Sequence, residues 1–297
     1  ENPALPTAFG TRNPGNGQRK NMDIAGLFQA LDIYRHLTAI LLGMPRLFTL
    51  ALVAPFFGAS VVTGQIRLIL VLALYLPLHP MVTASLLPEA SLSAALSLET
   101  GGRLVLLLCK ETLLGLILGF LAGIVFWAVQ SAGFFIDNQR GASMAEGADI
   151  LSGDQSSPLG QLLFQSLTYL FYTSGAFLAF IGVIYASYEI WPVARPLPSH
   201  FSLALPLYFA GKVGWLMGHM LLLAGPISVA CLLTDISLGL VNRFASQLNV
   251  YVLAMPIKSG LAAFLLCFYF GLLLSHAPEL FGSMRESILT LPNLLRP

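Results

Sequence analysis

Ionisable side chains are scarce in this sequence, and several lie inside long apolar runs: Arg46, Arg67, Lys110, Glu111, His219 and Asp235. A charge in an apolar helix is costly, so each is a candidate for proton transfer, ion pairing or contact with a transported species. Lys110 and Glu111 are neighbours and would project about 100° apart on a helix. That spacing predicts that each pairs with other helices, or with water at a segment end, and not with the other. A proton relay through them is the functional alternative. His219, between Gly218 and Met220, reads as a hydrogen-bonded packing residue, and Asp235, after Thr234, as a partner in local or interhelical hydrogen bonds. No catalytic spacing occurs: there is no HExxH, Walker loop, GxGxxG or GxSxG. An aspartyl intramembrane protease would need Asp149 or Asp154 to join Asp137 or Asp235, which lie on segments of the wrong character. Cys109, Cys231 and Cys267 form no CxxC. They suggest neither a disulfide framework nor a zinc site, and read as buried small hydrophobes. No metal and no cofactor is expected.

The polar residues concentrate instead in one central stretch, Gly133 to Ser157, between apolar runs that end at Ile136 and resume at Leu159. Asp137 and Arg140 stand at i,i+3 and would share a face of a continuing helix, where they can pair. Asn138 and Gln139 lie between them. Then Gly141, Gly147 and Gly153 punctuate a run of small and acidic residues that includes Ser143, Met144, Glu146, Asp149 and Asp154. A loop of this kind has a small cross-section and a free backbone. Its unpaired amides are costly in lipid, so it must line water or lie enclosed by protein. The plain alternative is a solvent loop joining two helices. A second polar island, Val241 to Val250 with Arg243, Gln247 and Asn249, is followed by Met255-Pro256-Ile257-Lys258. It predicts a compact turn at the tip of a C-terminal helical hairpin.

The elements that must hold these islands are apolar. The 297 residues are 56% hydrophobic and 10% charged, with a mean hydropathy of +0.79. A soluble domain carries about 25% charged residues, so this is a polytopic membrane or membrane-associated chain. A net charge of +1 excludes a nucleic-acid footprint. Residues 1–21 carry three prolines, three glycines and almost no apolar periodicity, and are expected to be a disordered extension or linker. Met22 is a candidate natural start. Residues 22–297 then form one helical unit with six apolar segments.

Met22 to His36 reads as a short amphipathic helix. The apolar segments are Leu37–Phe57, interrupted at Pro45-Arg46; Ile66–Leu87, broken at Pro77 and Pro80; Leu104–Ile136; Leu159–Ala186; Tyr208–Val241, which Pro226 should kink or split; and Ile257–Leu274. The third is too long for a ~30 Å hydrocarbon layer unless it tilts or leaves the membrane. On it Gly115, Gly119 and Gly123 recur every fourth residue, a bare face that lets another backbone approach closely. Gly211, Gly214 and Gly218 mark a similar face on the fifth segment. Tyr188 to Ser202 reads as a loop, with Tyr185, Tyr188 and Trp191 suited to an interfacial belt. Glu99 and Arg103 stand at a pairing distance before the third segment. Lys and Arg are spread too thinly to orient the chain.

At the two polar islands the sequence resembles a known family. Gly133-Phe-Phe-Ile-Asp-Asn-Gln-Arg-Gly-Ala-Ser143, and Arg243-Phe-Ala-Ser-Gln-Leu-Asn-Val250 with Met255-Pro-Ile-Lys258, are similar to the T subunit of the type III secretion export gate, the SctT/SpaR family. Its flagellar relative FliR has Arg-x-x-Pro-Gln-Leu-Asn-Val, where Ser246 here replaces the proline. The Asp137-Asn-Gln-Arg140 run looks like the injectisome version. The resemblance covers about Met22 to Leu291.

It implies an all-α integral or peri-membrane protein whose helical hairpins pack into a hetero-oligomeric helical pore. The implied partners are P-type (SctR/FliP-like) and Q-type (SctS/FliQ-like) gate subunits, a switch subunit (SctU/FlhB-like) and the secreted unfolded polypeptide. The implied location is the bacterial inner membrane at the base of the needle complex, partly on the periplasmic side. Residues 141–157 would be a plug that closes the channel, and Arg243 to Lys258 (with Gln247, Asn249 and Pro256) a hairpin tip near the cytoplasmic entrance. Greasy faces would be buried against partner subunits instead of lipid. The competing class is a six-helix secondary transporter with Asp137, Arg140 and Asp235 around a midplane site.

Overall fold

A computed structural model describes residues 33–58, 61–86, 98–141, 157–195, 204–244 and 250–295. Every regular element among them is helical: α1 (Ile33–Val53), α2 (Gly64–Tyr75), α3 (His79–Ser85), α4 (Leu98–Gln139), α5 (Pro158–Thr173), α6 (Ala176–Ile190), α7 (Ala204–Phe244) and α8 (Val250–Leu295), with 3-10 turns at Pro55–Phe57 and Leu76–Leu78. Among the described residues, five stretches could cross a membrane by length and composition: Arg35–Val53, Gly64–Ser85, Gly101–Gln139, Leu205–Phe244 and Val252–Gly271. Counting α5 and α6 as one bent span makes six.

The axis of the fold is α4. Its 42 residues extend about 63 Å at 1.5 Å per residue, and α1, α5, α7 and α8 all pack on it. Of its apolar window 72% is buried, against 17% for each of α7 and α8. The overlong third segment is therefore the protein's own core. A helix that is hydrophobic all round needs neighbours all round.

The Gly115, Gly119, Gly123 face is turned to α1. A Cβ on Gly115 would collide with Thr49 Oγ1 and the Arg46 carbonyl; one on Gly119 would lie 2.9 Å from Val53 Cβ and 3.0 Å from the Leu50 carbonyl. One on Gly123 would meet Pro55 Cδ at 3.0 Å. The seam is internal to the chain. Below it Phe56 sits fully buried at the centre of an aromatic cluster, with Phe126, Phe171 and Phe180 centroids 5.0, 4.8 and 5.3 Å away. Gly211, Gly214 and Gly218 differ: a Cβ on any of them meets nothing within 4 Å.

Several boundaries depart from the sequence reading, each for a local reason. The fourth apolar segment is two helices, bent by 74° at Ser174-Gly175, where Gly175 takes φ +79° and so reaches the left-handed region open to glycine. Pro226 does not split the fifth segment; α7 runs through it. The helix that carries the sixth segment outlasts it, since α8 continues beyond Leu274 to Leu295. Of the Arg243–Lys258 tip, residues 250–258 already belong to the opening of α8, whose second turn Pro256 enters. Cys231 is buried, whereas Cys109 and Cys267 are exposed on this chain, which corrects their reading as core. Residues 1–32, and so the proposed extension and most of the Met22–His36 helix, lie outside the described residues, as does the side chain of Glu99.

Over-packing a filled seam costs about 1–3 kcal/mol or more. Gly119→Leu is therefore expected to lower the detergent thermal-unfolding midpoint of the chain, and Gly218→Leu to leave it unchanged. Equal midpoints for the two variants would mean that the α1–α4 seam is not tightly closed.

Candidate functional site

Two polar constellations are set into this framework. The first is a buried charge cluster where α1, α4 and the end of α6 meet. Arg46 and Glu111 are fully buried and bind in a two-pronged pair, Nε to Oε2 at 2.7 Å and Nη2 to Oε1 at 3.0 Å. Lys110 Nζ lies 2.6 Å from Glu111 Oε1. The expectation that these two neighbours cannot pair is thus corrected. Their Cα–Cβ bonds do diverge, but the four-carbon lysine stem is long enough to curl back to the carboxylate.

Two cations against one anion leave a net positive charge in the core, and backbone carbonyls meet it. Arg46 Nη1 donates to the Ser187 carbonyl at 2.8 Å and Nη2 to that of Trp191 at 2.8 Å. Lys110 Nζ donates to the carbonyls of Pro192, Val193 and Arg195 at 2.9, 3.1 and 2.9 Å. Helix α6 ends at Ile190, so these acceptors sit at its C-terminus, where the helix dipole favours cations. Tyr188, expected in an interfacial belt, is instead buried, with its ring 4.1 Å beneath the Arg46 guanidinium and its hydroxyl donating to the Gly43 carbonyl at 2.8 Å. Every member is used structurally, which leaves the relay reading of Lys110 and Glu111 no observation to rest on.

The second constellation is centred on Asp137, in the last turn of α4. Arg140 Nε donates to Oδ1 at 2.7 Å, the pairing that the i,i+3 spacing predicts. Oδ2 reaches across the chain: Ser157 Oγ donates to it at 2.5 Å and the Leu159 amide at 2.9 Å. Ser157 also caps α5, accepting from the Gly160 amide at 2.9 Å, with Pro158 at the first helical position. The helices touch closely here, since a Cβ on Gly133 would lie 2.5 Å from Gly160 Cα. Gly141, at φ +82°, turns the chain out of α4, and a Cβ there would rest 3.5 Å from Met255 in the first turns of α8. Asp137 thus binds groups on both sides of the segment 142–156. That segment, with Ser143, Met144, Glu146, Gly147, Asp149, Gly153 and Asp154, lies outside the described residues.

Of the hairpin-tip residues, Arg243 lies in the last turn of α7, and Pro256 and Lys258 lie in α8. Gln247 and Asn249 are outside the described residues. Lys258 pairs with Asp235 across the hairpin at 2.9 Å. His219 donates or accepts nothing catalytic: its ring stacks on Trp215 at 3.8 Å and its Nδ1 bonds the Trp215 carbonyl at 2.9 Å. Of the three residues grouped in the transporter reading, Asp137 and Arg140 pair with each other, whereas Asp235 pairs apart from them with Lys258. Sequence reasoning missed Ser157, Ser187, Tyr188 and the 191–195 carbonyls. Ser157-Pro158 carried a signal, a capping serine before a proline. The others carried none, because their partners lie far away in the chain.

The profile of the bacterial export proteins, family 1, matches residues 37–284. The chain belongs to this family. Among its relatives, the Yop proteins translocation protein T of Yersinia pestis is 44% identical over 59% of this chain and 67% of its own length. The surface presentation of antigens protein SpaR of Salmonella typhimurium is 27% identical over 82% and 88%. The flagellar biosynthetic protein FliR of Bacillus subtilis is 31% identical over 57% and 66%. This all-α membrane protein is accordingly a component of a bacterial secretion export apparatus and not an enzyme. The assignment favours export over the secondary-transporter alternative.

Removing one partner from a buried ion pair costs about 3–5 kcal/mol. Glu111→Ala, which strands two cations, is expected to abolish the folded chain in detergent. The Arg46→Met, Glu111→Leu, Lys110→Met triple variant should recover much of the lost unfolding midpoint. A stable Glu111→Ala chain would show that water reaches the cluster.

Proposed function

We propose that this chain is a pore and gate subunit of a type III secretion export apparatus in the bacterial inner membrane, at the base of the needle complex and partly on its periplasmic side. In this reading it packs with P-type and Q-type gate subunits, meets the switch subunit near the Arg243–Lys258 tip, and helps conduct unfolded polypeptide. The segment between Gly141 and Ser157 closes the path until substrate displaces it.

The observation that carries the reading is the double use of Asp137. One carboxylate binds Arg140 where the chain leaves α4 and Ser157 where it enters α5. The residues that flank the intervening segment are therefore tied to a single base, as a plug requires if it is to move without unravelling the helices beside it. The bare outer faces of α7 and α8 support the partner assignment. Leu222 is 72% and Phe268 70% exposed, apolar area that lipid or neighbouring helices must cover.

Gly or Ala replacements within 142–156, and Asp137→Ala at the base, are expected to let assembled gates leak small ions, measured as conductance across membranes of cells expressing the complex. Variants that assemble and stay ion-tight would remove the plug assignment while leaving membership of the apparatus untouched.

A further inference from the structure

Two histidines that the gate reading leaves unused meet at the first turn of α1. His36 Nδ1 lies 2.8 Å from Nε2 of His79, the first residue of α3, and the two rings stack with centroids 5.1 Å apart. The second nitrogen of His79 is engaged as well, with Nδ1 3.1 Å from the Tyr75 hydroxyl. Tyr75 is buried against α1, where a Cβ on Gly43 would lie 2.6 Å from its Cε2. Arg35 closes the same junction, donating through Nε and Nη2 to the Thr83 carbonyl at 3.1 and 2.7 Å. Among the described residues, no carboxylate bonds Arg35 or either ring. From α6, Tyr185 and Tyr188 face the junction, but their hydroxyls donate to the Leu74 and Gly43 carbonyls. Arg67 on α2 stands eight residues before Tyr75, about 12 Å along the helix.

A bond between two imidazole nitrogens needs one hydrogen, so one of the two facing nitrogens must be bare. With both rings neutral, the Tyr75 hydroxyl donates to His79 Nδ1, and His79 Nε2–H donates to His36 Nδ1. One added proton reverses the chain: His36 Nδ1–H then donates to a bare His79 Nε2, and His79 Nδ1–H to the Tyr75 oxygen. That bond is charge-assisted and so of the stronger kind. A second proton puts N–H on both facing nitrogens and two cations beside Arg35. We propose that His36, His79 and Tyr75 form a proton-binding latch, which holds α3 on α1 with at most one added proton and releases it when a second arrives. Water can supply those protons. His36 is exposed and stands second in the apolar stretch Arg35–Val53, at the end of that span. The Arg46–Glu111 pair, ten residues further along α1, keeps α1 on α4 in either state.

Separated histidines both take up a proton below about pH 6.5, whereas the closed latch holds one proton fewer. Closing is therefore favoured at neutral pH, and the opening constant rises about tenfold per pH unit as pH falls below that range. The latch is independent of the plug, and its readout lies in a different part of the chain. The complex of this chain with its co-expressed membrane subunits, in mild detergent, is followed by hydrogen–deuterium exchange between about pH 7.5 and 5, corrected for the intrinsic pH dependence of amide exchange. Peptides covering residues 76–85 are expected to lose about tenfold in protection per pH unit below about pH 6, while those from α4 keep theirs. His36→Gln retains a neutral hydrogen-bonding group and should hold protection of 76–85 constant over the range. His79→Phe removes both bonds and should give low protection at every pH. Protection of 76–85 that does not change with pH in the unaltered complex would overturn the proposal. So would a loss in acid that persists in His36→Gln, or one that affects α4 equally.

Discussion

The fold depends on keeping three charges paired where no water reaches. Arg46, Lys110 and Glu111 come from two helices, and the surplus positive charge can be balanced only by carbonyls at the end of a third. Desolvating such groups costs several kcal/mol each unless geometry is excellent. That cost makes the arrangement selective. Apolar helices slide and rotate against one another with little penalty, whereas a guanidinium with five acceptor atoms fixes both the depth and the rotation of α1 against α4. The glycine seam works in the same direction. The backbone of α1 can approach α4 closely enough for Arg46 to reach Glu111 because Gly115 has no side chain to stop it.

With α1, α4 and α6 locked, the rest of the chain is free to present rather than to bury. α4 is covered along most of its apolar window while α7 and α8 are largely bare. This division explains how a chain can be uniformly apolar without being uniformly packed. Some of its hydrophobic residues make its own core and others await lipid or neighbouring helices. The Asp137 site lies at the junction of these regimes, at the end of the locked helix and, through Gly141 and Met255, beside the start of the bare hairpin. A shift of that hairpin would bear directly on the base of the central loop.

Much of this was legible before any coordinates. Six apolar stretches, the i,i+3 pairing of Asp137 and Arg140 and the packing role of the glycine face all follow from spacing. What spacing could not carry was distance. A glutamate 65 residues from its arginine leaves no local periodicity, and the lysine beside it was misjudged because backbone direction says little about where a long flexible stem ends. Proline was overweighted for the same reason. Pro45 and Pro226 sit inside continuous helices, where neighbouring turns absorb the missing amide bond.

By itself, then, the sequence determined the class of the protein, the helices as apolar segments, the two polar islands and, through the motifs in those islands, the family. These are local properties, written in composition and in residues a few positions apart. Only the tertiary structure decided which apolar faces are core and which are bare, where α5 bends from α6, and which distant groups satisfy each buried charge. Those outcomes depend on competition among many possible contacts for the same surfaces, and that competition is settled by packing the whole chain at once.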